Sequence, residues 1–589
     1  MILTRCPPKA MNVPKTLFFH ARLALPLLLT ASIASAADTP GTPKPPSEEG
    51  IPVTNQLVIA KCSGCHHADA KGNLTRISWI RTTPEGWEQA LKRMVRLNGL
   101  KVTPQEAREI DQYLSSTHGL APAEALEVRY MSEHRLVDET VPEDVKEVCN
   151  ACHAAGVPKQ WRRSKEEWDL LAKMHLGYFE VAEFEAFQRP PDPPDAPPPG
   201  PNADKRQPVD KAMDYWAKTN TLQSPEWAEW QASMRTPKLT GRWLISGNQP
   251  GKGPFFGEMS VEPGSSDSEF STHTKITFSQ DGSTEERSGK SLVYTGYAWR
   301  GKSVRQGVFE GVDAGKEARE VMFVSRDQNS MDGRWFWGQY QEFGMDVKVV
   351  RAGSDIAVLG IDVPRLHSGS NGTTVHIYGD NFPGDLTEAD IDLGSGVKVI
   401  KIVARTPNLI TATVDVDAGA ITGRRDVAVR RAAATSSYAV YDHIDYLKVA
   451  PEWSMARLGT ERHPKGYFQF EAVAYANGPD GKPKTADDVN LGPIGADWSI
   501  EEFYATYGDD DKEFVGKLDA KTGLFTPNAD GPSPKRKFNR NNYGDVWVVA
   551  TVKGIGKNGK DLTAKSYLVV TVPRYSNWDQ PEVAPAAGN

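Results

Sequence analysis

Two short segments with the same cysteine pattern constrain this chain more than any other feature. They read CSGCH at residues 62–66 and CNACH at residues 149–153. Two thiols three positions apart on one helical turn can each add to a haem vinyl group, and the next histidine can then bind the iron. The pattern therefore predicts two covalently attached haem c groups. It assigns Cys62, Cys65, Cys149 and Cys152 as attachment points and His66 and His153 as proximal iron ligands.

Three other uses of paired cysteines explain these segments less well. A thioredoxin-like redox pair belongs in a βαβ unit, whereas the sequence after each pair is typical of helices. A four-cysteine zinc site has about 15–20 residues between its pairs, far fewer than separate Cys65 from Cys149. Two short-loop disulfides would not require a histidine after each pair.

An internal repeat predicts which side chain binds the sixth position of each iron. Met94 follows Trp87 by seven positions, and His175 follows Trp168 by the same interval. Seven residues are close to two helical turns, so each ligand shares a helix face with its indole. The repeat therefore assigns His66 and Met94 to the first iron. It assigns His153 and His175 to the second iron.

Alternatives stay open at both sixth positions. Met94 could be an ordinary core methionine, and Met131 is the other candidate in that half. At the second iron, Met174 lies about 100° round the helix from His175, and a vacant or distant ligand position is also compatible. Three further histidines are interpreted as surface residues or as residues that support a ligand: His67, His118 and His134.

Capping residues mark where the helices of this region begin. Thr83 and Ser164 precede the two ligand helices and are suited to accept hydrogen bonds from their first turns. Glu167, three positions after Ser164, predicts a capping box, and Thr103 with Glu106 predicts another.

The two ligand sets have a functional consequence. Thioether ligation raises the potential of a haem relative to a second imidazole, so the two haems should differ in potential. With both irons six-coordinate, neither offers a position for dioxygen or peroxide. The assignment favours electron transfer over catalysis at iron.

The N-terminus has the pattern of a secretory signal. Basic residues precede the apolar run LALPLLLTASIASA, and its small residues suit cleavage after Ala36. The run is shorter than the ~20 residues that span a bilayer, which disfavours a membrane anchor. We therefore predict a periplasmic protein without a membrane span, which loses residues 1–36 and Cys6 with them.

Composition and hydropathy predict a multidomain chain of helical and all-β parts. The net charge of −7 gives no basic bias toward nucleic acid. The predicted order is a helical diheme cytochrome c domain (45–188), a proline-rich linker (189–207), a β-barrel domain that opens with a short helical segment (208–352), an immunoglobulin-like β-domain (353–450), a C-terminal β-sandwich (451–574) and a tail (575–589).

The β-domains carry no recognised catalytic motif. The sequence lacks G-x-S-x-G, H-E-x-x-H and a phosphate-binding loop. The acidic run at residues 509–511 lacks the alternating spacing of a calcium loop and is interpreted as a solvated turn. The aromatic segment DGRWFWGQ (332–339) is interpreted as barrel core, with an interface patch as the alternative.

The whole order resembles the α subunit of quinohaemoprotein amine dehydrogenase. The CxxCH motif alone is generic to c-type cytochromes. The specific features are the diheme repeat with its W-x₆-M and W-x₆-H helices and the three β-domains that follow it. The resemblance covers nearly the whole chain after the signal.

This resemblance implies a periplasmic heterotrimer that oxidatively deaminates primary amines. In that family a β-propeller β subunit and a small γ subunit complete the assembly, and the γ subunit carries cysteine tryptophylquinone. The α subunit takes electrons from the quinone through its haems and passes them to a cytochrome c or a cupredoxin. The family's haem-binding residues correspond here to the six residues of the two CxxCH segments.

Two other functions are compatible with an exported diheme protein. One is a diheme cytochrome whose β-domains adhere to a surface or carbohydrate. The other is a diheme peroxidase-like enzyme, which requires a vacant iron position. The four cysteines of the mature chain are all assigned to haem, so a cysteine-derived quinone has to reside on another polypeptide.

Overall fold

A computed structural model describes residues 48–129, 141–149, 156–189, 206–307, 316–337 and 343–573, together with Gly200 and Asp204. The predicted fold class is confirmed, because a helical N-terminal region is followed by several antiparallel β-domains. The predicted signal sequence, most of the predicted proline-rich linker and the predicted C-terminal tail lie outside the described residues.

Short helices build the N-terminal region. They are α1 (Gln56–Cys62), α2 (Pro84–Asn98), α3 (Pro104–Thr117), α4 (Pro122–Ala125), α5 (Glu143–Cys149), α6 (Gly156–Lys159), α7 (Lys165–Tyr178), α8 (Pro208–Thr219) and α9 (Pro225–Ser233). Two further helical turns cover Leu126–Val128 and Glu183–Phe187. A two-stranded antiparallel ribbon of β1 (Ile80–Thr82) and β2 (Trp161–Arg163) joins the two halves.

The predicted caps are confirmed for the two ligand helices. Thr83 Oγ1 accepts a hydrogen bond from Gly86 at the start of α2, and Ser164 Oγ accepts one from Glu167 at the start of α7. The capping box predicted for α7 is wrong, since the Glu167 carboxylate pairs with Arg76 at 3.1 Å. The Glu167 carboxylate therefore binds Arg76, from the first half of the region, and not the backbone N–H at the start of α7 as a capping box would require.

Helix α8 packs into the core of the helical region. Ala212, Met213 and Trp216 belong to the apolar cluster that contains Trp87 and Trp168. The sequence analysis predicts that this segment belongs to the barrel domain. In the structure the apolar face of α8 packs against the other helices instead. Trp216 stacks on Trp168 with ring centroids 5.9 Å apart.

Eight strands close into an antiparallel barrel, in which β10 pairs with β3. They are β3 (Gly241–Gln249), β4 (Gly253–Pro263), β5 (Glu269–Phe278), β6 (Thr284–Tyr294), β7 (Ala298–Arg305), β8 (Glu317–Val324), β9 (Ser330–Phe336) and β10 (Gly344–Arg351). Tryptophans 243, 299 and 335 fill the interior. Trp335 is fully buried in this core and the half-buried Trp337 packs against it, so the core interpretation of the aromatic segment is confirmed for Trp335. Phe336 is also fully buried, but it lies under the guanidinium of Arg319 and does not belong to the core cluster.

The next domain packs two four-stranded sheets around one apolar core. The first sheet has the order β11 (Ala357–Ile361), β13 (Thr373–Asp380), β16 (Leu409–Val416) and β15 (Val397–Thr406). The second has the order β12 (Arg365–His367), β18 (Ala432–Tyr441), β17 (Gly423–Val429) and β14 (Ile391–Asp392).

Three sheets form the C-terminal domain. They are β19 (Tyr446–Ala450), β22 (Glu471–Ala476) and β23 (Val489–Ile494); β20 (Trp453–Arg457), β28 (Leu562–Thr571), β27 (Gly544–Val552) and β24 (Asp497–Glu502); and β21 (Phe468–Gln469), β26 (Leu524–Pro527) and β25 (Gly516–Leu518). A short helix, α10 (Asp511–Phe514), follows β24.

The acidic run at 509–511 is not a solvated turn throughout. Asp511 is buried, and it pairs with the buried guanidinium of Arg536. Arg536 Nη2 also donates to Asp510 Oδ1 at 2.6 Å. These carboxylates therefore neutralise an arginine that comes from a distant point in the chain.

The barrel and the helical region share a second apolar core and several polar contacts. The core joins Leu120 and Val128 of the helical region to Tyr294 and Tyr297 of the barrel. Tyr297 donates its hydroxyl to the Leu120 carbonyl at 3.0 Å. An ion pair links Arg300 of β7 to Glu85 of α2, with Nε and Oε1 2.5 Å apart. The barrel is thus a fixed base for the helix that carries Met94.

We predict that the substitution Glu85→Gln lowers the free energy of unfolding by about 3–5 kcal/mol, because it leaves the buried Arg300 charge unpaired. Glu229→Gln is the matched control, since its ion pair with Arg326 also joins a helix to the barrel but is exposed. The control should cost less than about 1 kcal/mol. Chemical denaturation measures both values, and equal losses would contradict the prediction.

Candidate haem sites

The first CxxCH segment lies at the end of α1. The chain continues to turn after Cys62, since the backbone N–H groups of Cys65 and His66 both donate to the Cys62 carbonyl, at 3.1 and 2.9 Å. Cys65 is exposed and Cys62 is partly buried. The two thiols and the imidazole therefore lie within one turn, as thioether attachment with proximal ligation requires.

The imidazole of His66 is held by the backbone. Its Nδ1 lies 2.8 Å from the Thr75 carbonyl oxygen, to which only a protonated nitrogen can donate. This tautomer places the lone pair on Nε2, the nitrogen that would bind iron, and fixes the orientation of the ring. Burial lowers the pKa of His66, which favours the neutral form that a metal ligand needs.

The second CxxCH segment is described only at its first residue. Cys149 ends α5, and the indole Nε1 of Trp216 lies 3.5 Å from its sulfur. Cys152 and His153 lie outside the described residues. Helix α8 thus places a tryptophan beside Cys149, a predicted attachment point of the second haem.

The predicted sixth ligands lie on the two equivalent helices, α2 and α7. Met94 and His175 are each half-buried, and so is Met174. The Nδ1 of His175 lies 2.9 Å from the Leu171 carbonyl oxygen one turn earlier. This bond again assigns the lone pair to Nε2. The His175 ring also packs against Phe179 and Phe187, with centroids 6.2 and 5.9 Å away.

Large apolar side chains lie exposed beside both predicted ligands. Those near Met94 are Val95 and Leu97, and those near His175 are Leu176, Tyr178, Phe179, Val181 and Phe184. Phe184 is 78% exposed. A porphyrin has two broad apolar faces, and such side chains are the surface that it would cover. The residues present therefore fit haem at the first position. At the second position Cys149 and the surroundings of His175 are compatible with haem, while Cys152 and His153 lie outside the described residues.

The two halves of the helical region also share hydrogen bonds that the sequence repeat does not predict. Trp87 Nε1 donates to the carbonyl of His118, the cap of α3, at 3.0 Å. Trp168 Nε1 donates to the carbonyl of Asn220, the cap of α8, at 3.1 Å. The backbone N–H groups of Thr82 and Arg163 donate to the same two carbonyls. Each half therefore fixes its ligand helix to the ribbon and to a second helix in the same way.

Among the other histidines, His118 is fully buried and His67 is exposed, while His134 lies outside the described residues. Within the described ranges, no group of three or more His, Cys, Asp or Glu side chains could hold a metal ion. No helix in the described part of the chain is long and apolar enough to cross a membrane.

Sequence reasoning missed the charged residues that join the two halves. Glu124 of α4 binds both Arg81 and Arg162, and Glu167 of α7 binds Arg76. The partners are far apart in the sequence, so no local spacing could reveal them. Arg76 directly follows Thr75, whose carbonyl holds His66, and its backbone has a positive φ of 69°.

Four protein-family models match the chain, and all four describe the α subunit of quinohaemoprotein amine dehydrogenase. The haem-binding model matches residues 53–193. The models of domains II, III and IV match residues 236–352, 356–442 and 447–583. Together they cover most of the chain in the order in which the domains occur.

Solved structures resemble parts of the chain only weakly. A redesigned β-barrel is 14% identical, with 20% of this chain and 97% of that one aligned at a TM-score of 0.17. Human protocadherin-24 EC1-2 is 11% identical, with 38% of this chain and 99% of that one aligned at a TM-score of 0.16. These TM-scores are too low to assign a fold. No curated protein matches the chain.

We predict that His118 makes stability depend on pH. Burial lowers the pKa of His118 from its usual value of 6.5 to about 4. The unfolded chain therefore binds this proton more readily, and about 3 kcal/mol of stability, fully present above pH 6.5, is lost as the pH falls to 4. Denaturation of the haem-loaded protein across this range measures the loss.

The variant His118→Gln should lose less stability over the same interval, because glutamine takes up no proton. His273→Gln, at an exposed histidine of the barrel, is the control and should keep the pH dependence of the unaltered protein. Identical pH profiles for all three proteins would contradict this prediction.

Proposed function

Because the chain belongs to the family of quinohaemoprotein amine dehydrogenase α subunits, we propose that it is the electron-transfer subunit of an exported amine dehydrogenase. The observation that carries this proposal is the pair of CxxCH segments inside the region matched by the haem-binding model. The substrates are primary amines, which the complex deaminates by oxidation.

The haem sites are assigned residue by residue. Cys62 and Cys65 would hold the first haem, and His66 and Met94 would bind its iron. Cys149 and Cys152 would hold the second haem, and His153 and His175 would bind its iron. When bound, each haem supplies a one-electron carrier. The Nδ1 bonds of His66 and His175 to backbone carbonyls support these two ligands.

The organic chemistry takes place on another polypeptide. The chain has five cysteines, of which Cys6 lies in the predicted signal and four are assigned to haem. None is left to form cysteine tryptophylquinone, so this cofactor belongs to a partner. The contribution of this chain is to hold two redox centres at fixed positions beside that partner.

The proposed assembly is a periplasmic heterotrimer with a β-propeller β subunit and a small γ subunit that carries the quinone. In this assembly the two haems would supply the route for electrons from the quinone to a soluble acceptor, either a cytochrome c or a cupredoxin. The signal-like N-terminus and the family match support this arrangement.

We predict that Met94→His lowers the potential of one haem by on the order of 0.1 V and leaves the other unchanged, because imidazole replaces a thioether. Met174→Leu should change neither potential. Both variants and the unaltered protein should have only low-spin oxidised haem, and spectroelectrochemical titration measures the potentials. A shift in Met174→Leu with none in Met94→His would contradict both assignments.

The function itself is tested on the complex purified with its partner chains. Adding n-butylamine should reduce both haems, and a preparation with the Cys62→Ala and Cys65→Ala substitutions should show reduction of one haem at most. A chain that purifies alone, with haems that stay oxidised, would favour the adhesive cytochrome instead. Binding of cyanide or peroxide by the resting protein would favour the peroxidase-like enzyme.

A further inference from the structure

The two halves of the helical region meet at a pair of equivalent arginines. The repeat that aligns Trp87 with Trp168 also aligns Arg81 with Arg162 at the same offset. In the ribbon, Arg81 pairs with Arg162. A residue faces its own equivalent only where a two-fold axis passes. The internal two-fold axis of the diheme region therefore runs through this pair.

One carboxylate binds both arginines. The Nη1 and Nη2 atoms of Arg81 donate to the two oxygens of Glu124 at 2.8 and 2.9 Å. Arg162 Nε lies 3.3 Å from the same carboxylate. The side chain of Arg81 is inaccessible to solvent, and that of Glu124 is 5% exposed. Bidentate arginine binding in a dry environment is strong and fixes geometry.

Further contacts fix the carboxylate and extend the network to both halves. The Ala121 N–H and the Ser224 hydroxyl each donate to Glu124 at 2.8 Å. Arg81 also donates to the carbonyls of Gly119 and Leu222, at 2.9 and 2.6 Å. These carbonyls lie just after the caps of α3 and α8, the two helices that bind the indoles of the repeat.

The ligand helices begin directly beside this network. Thr83, two residues after Arg81, caps the helix that carries Met94, and Ser164, two residues after Arg162, caps the helix that carries His175. Because a helix is stiff over three to four turns, the ribbon determines where both predicted ligands lie. Any change in the angle between β1 and β2 would move the two ligands relative to each other.

We propose that Glu124 is a positioning residue that sets the distance and angle between the two haem sites by holding Arg81 and Arg162 together. This inference rests on the proposed two-haem relay. Electron tunnelling slows steeply with the distance between redox centres, so a fixed separation is a requirement of such a relay. Glu124 touches neither proposed ligand and acts only through the ribbon and its two helices.

The test is Glu124→Gln in the complete haem-loaded protein. The variant keeps the shape of the side chain but leaves the buried charge of Arg81 and the partly buried charge of Arg162 without their carboxylate. Glu127→Gln is the matched control, because Glu127 lies three residues further on, loses the same charge and is 75% exposed, with Lys159 3.8 Å away. Electron paramagnetic resonance reports the ligand set of each iron and the magnetic coupling between the irons.

We expect Glu124→Gln to keep both low-spin ligand signatures, to change the coupling between the irons and to slow inter-haem electron transfer about tenfold or more. The control should match the unaltered protein in all three measurements. Unchanged coupling and rate in Glu124→Gln would overturn the inference. So would loss of either ligand signature, since that would indicate a general structural role.

If Glu124→Gln yields no haem-loaded protein, Arg162→Lys replaces it. Lysine keeps the charge but lacks the fork that spans from the ribbon to the carboxylate. Altered coupling with intact ligand signatures supports the inference, and unaltered coupling overturns it. A preparation with fewer than two haems per chain in the unaltered protein would refute the proposed function instead, so the two failures are distinguishable.

Discussion

The helical haem-binding region depends on hydrogen bonds from two equivalent indoles to two helix caps. Trp87 and Trp168 are buried, and each donates to the carbonyl of the residue that caps the C-terminal end of a neighbouring helix. A buried indole N–H without a partner would cost on the order of 1–3 kcal/mol, so these bonds specify one arrangement of the helices. Both proposed sixth ligands lie two turns further along the same helices, and their positions follow from this arrangement.

The local features of this region could be predicted from the sequence. The CxxCH spacing, the shared interval from each tryptophan to its ligand and the hydroxyl caps at Thr83 and Ser164 all act within one or two helical turns. The alternating pattern of the barrel strands is equally local, because successive side chains point to opposite faces of a sheet. These local patterns can be interpreted without knowing which segments of the chain contact one another in the fold.

The remaining features depend on partners that are distant in the sequence. Glu167 has the spacing of a capping box but pairs with Arg76, and Asp511 lies in an apparently solvated run but neutralises Arg536. Helix α8 precedes the barrel in sequence, yet Trp216 packs on Trp168. The Glu85–Arg300 pair, which joins the barrel to the Met94 helix, has no local signature either. A single sequence contains no spacing from which these contacts follow.

We propose that this chain holds two covalently bound haems that conduct electrons for chemistry on a partner. Intact mass spectrometry of the denatured, exported chain tests it most directly, because thioether-linked haem survives unfolding. The account predicts a polypeptide that begins after residue 36 and carries the added mass of two haem groups. A mature chain with the mass of its amino acids alone, or with a single haem, would contradict it.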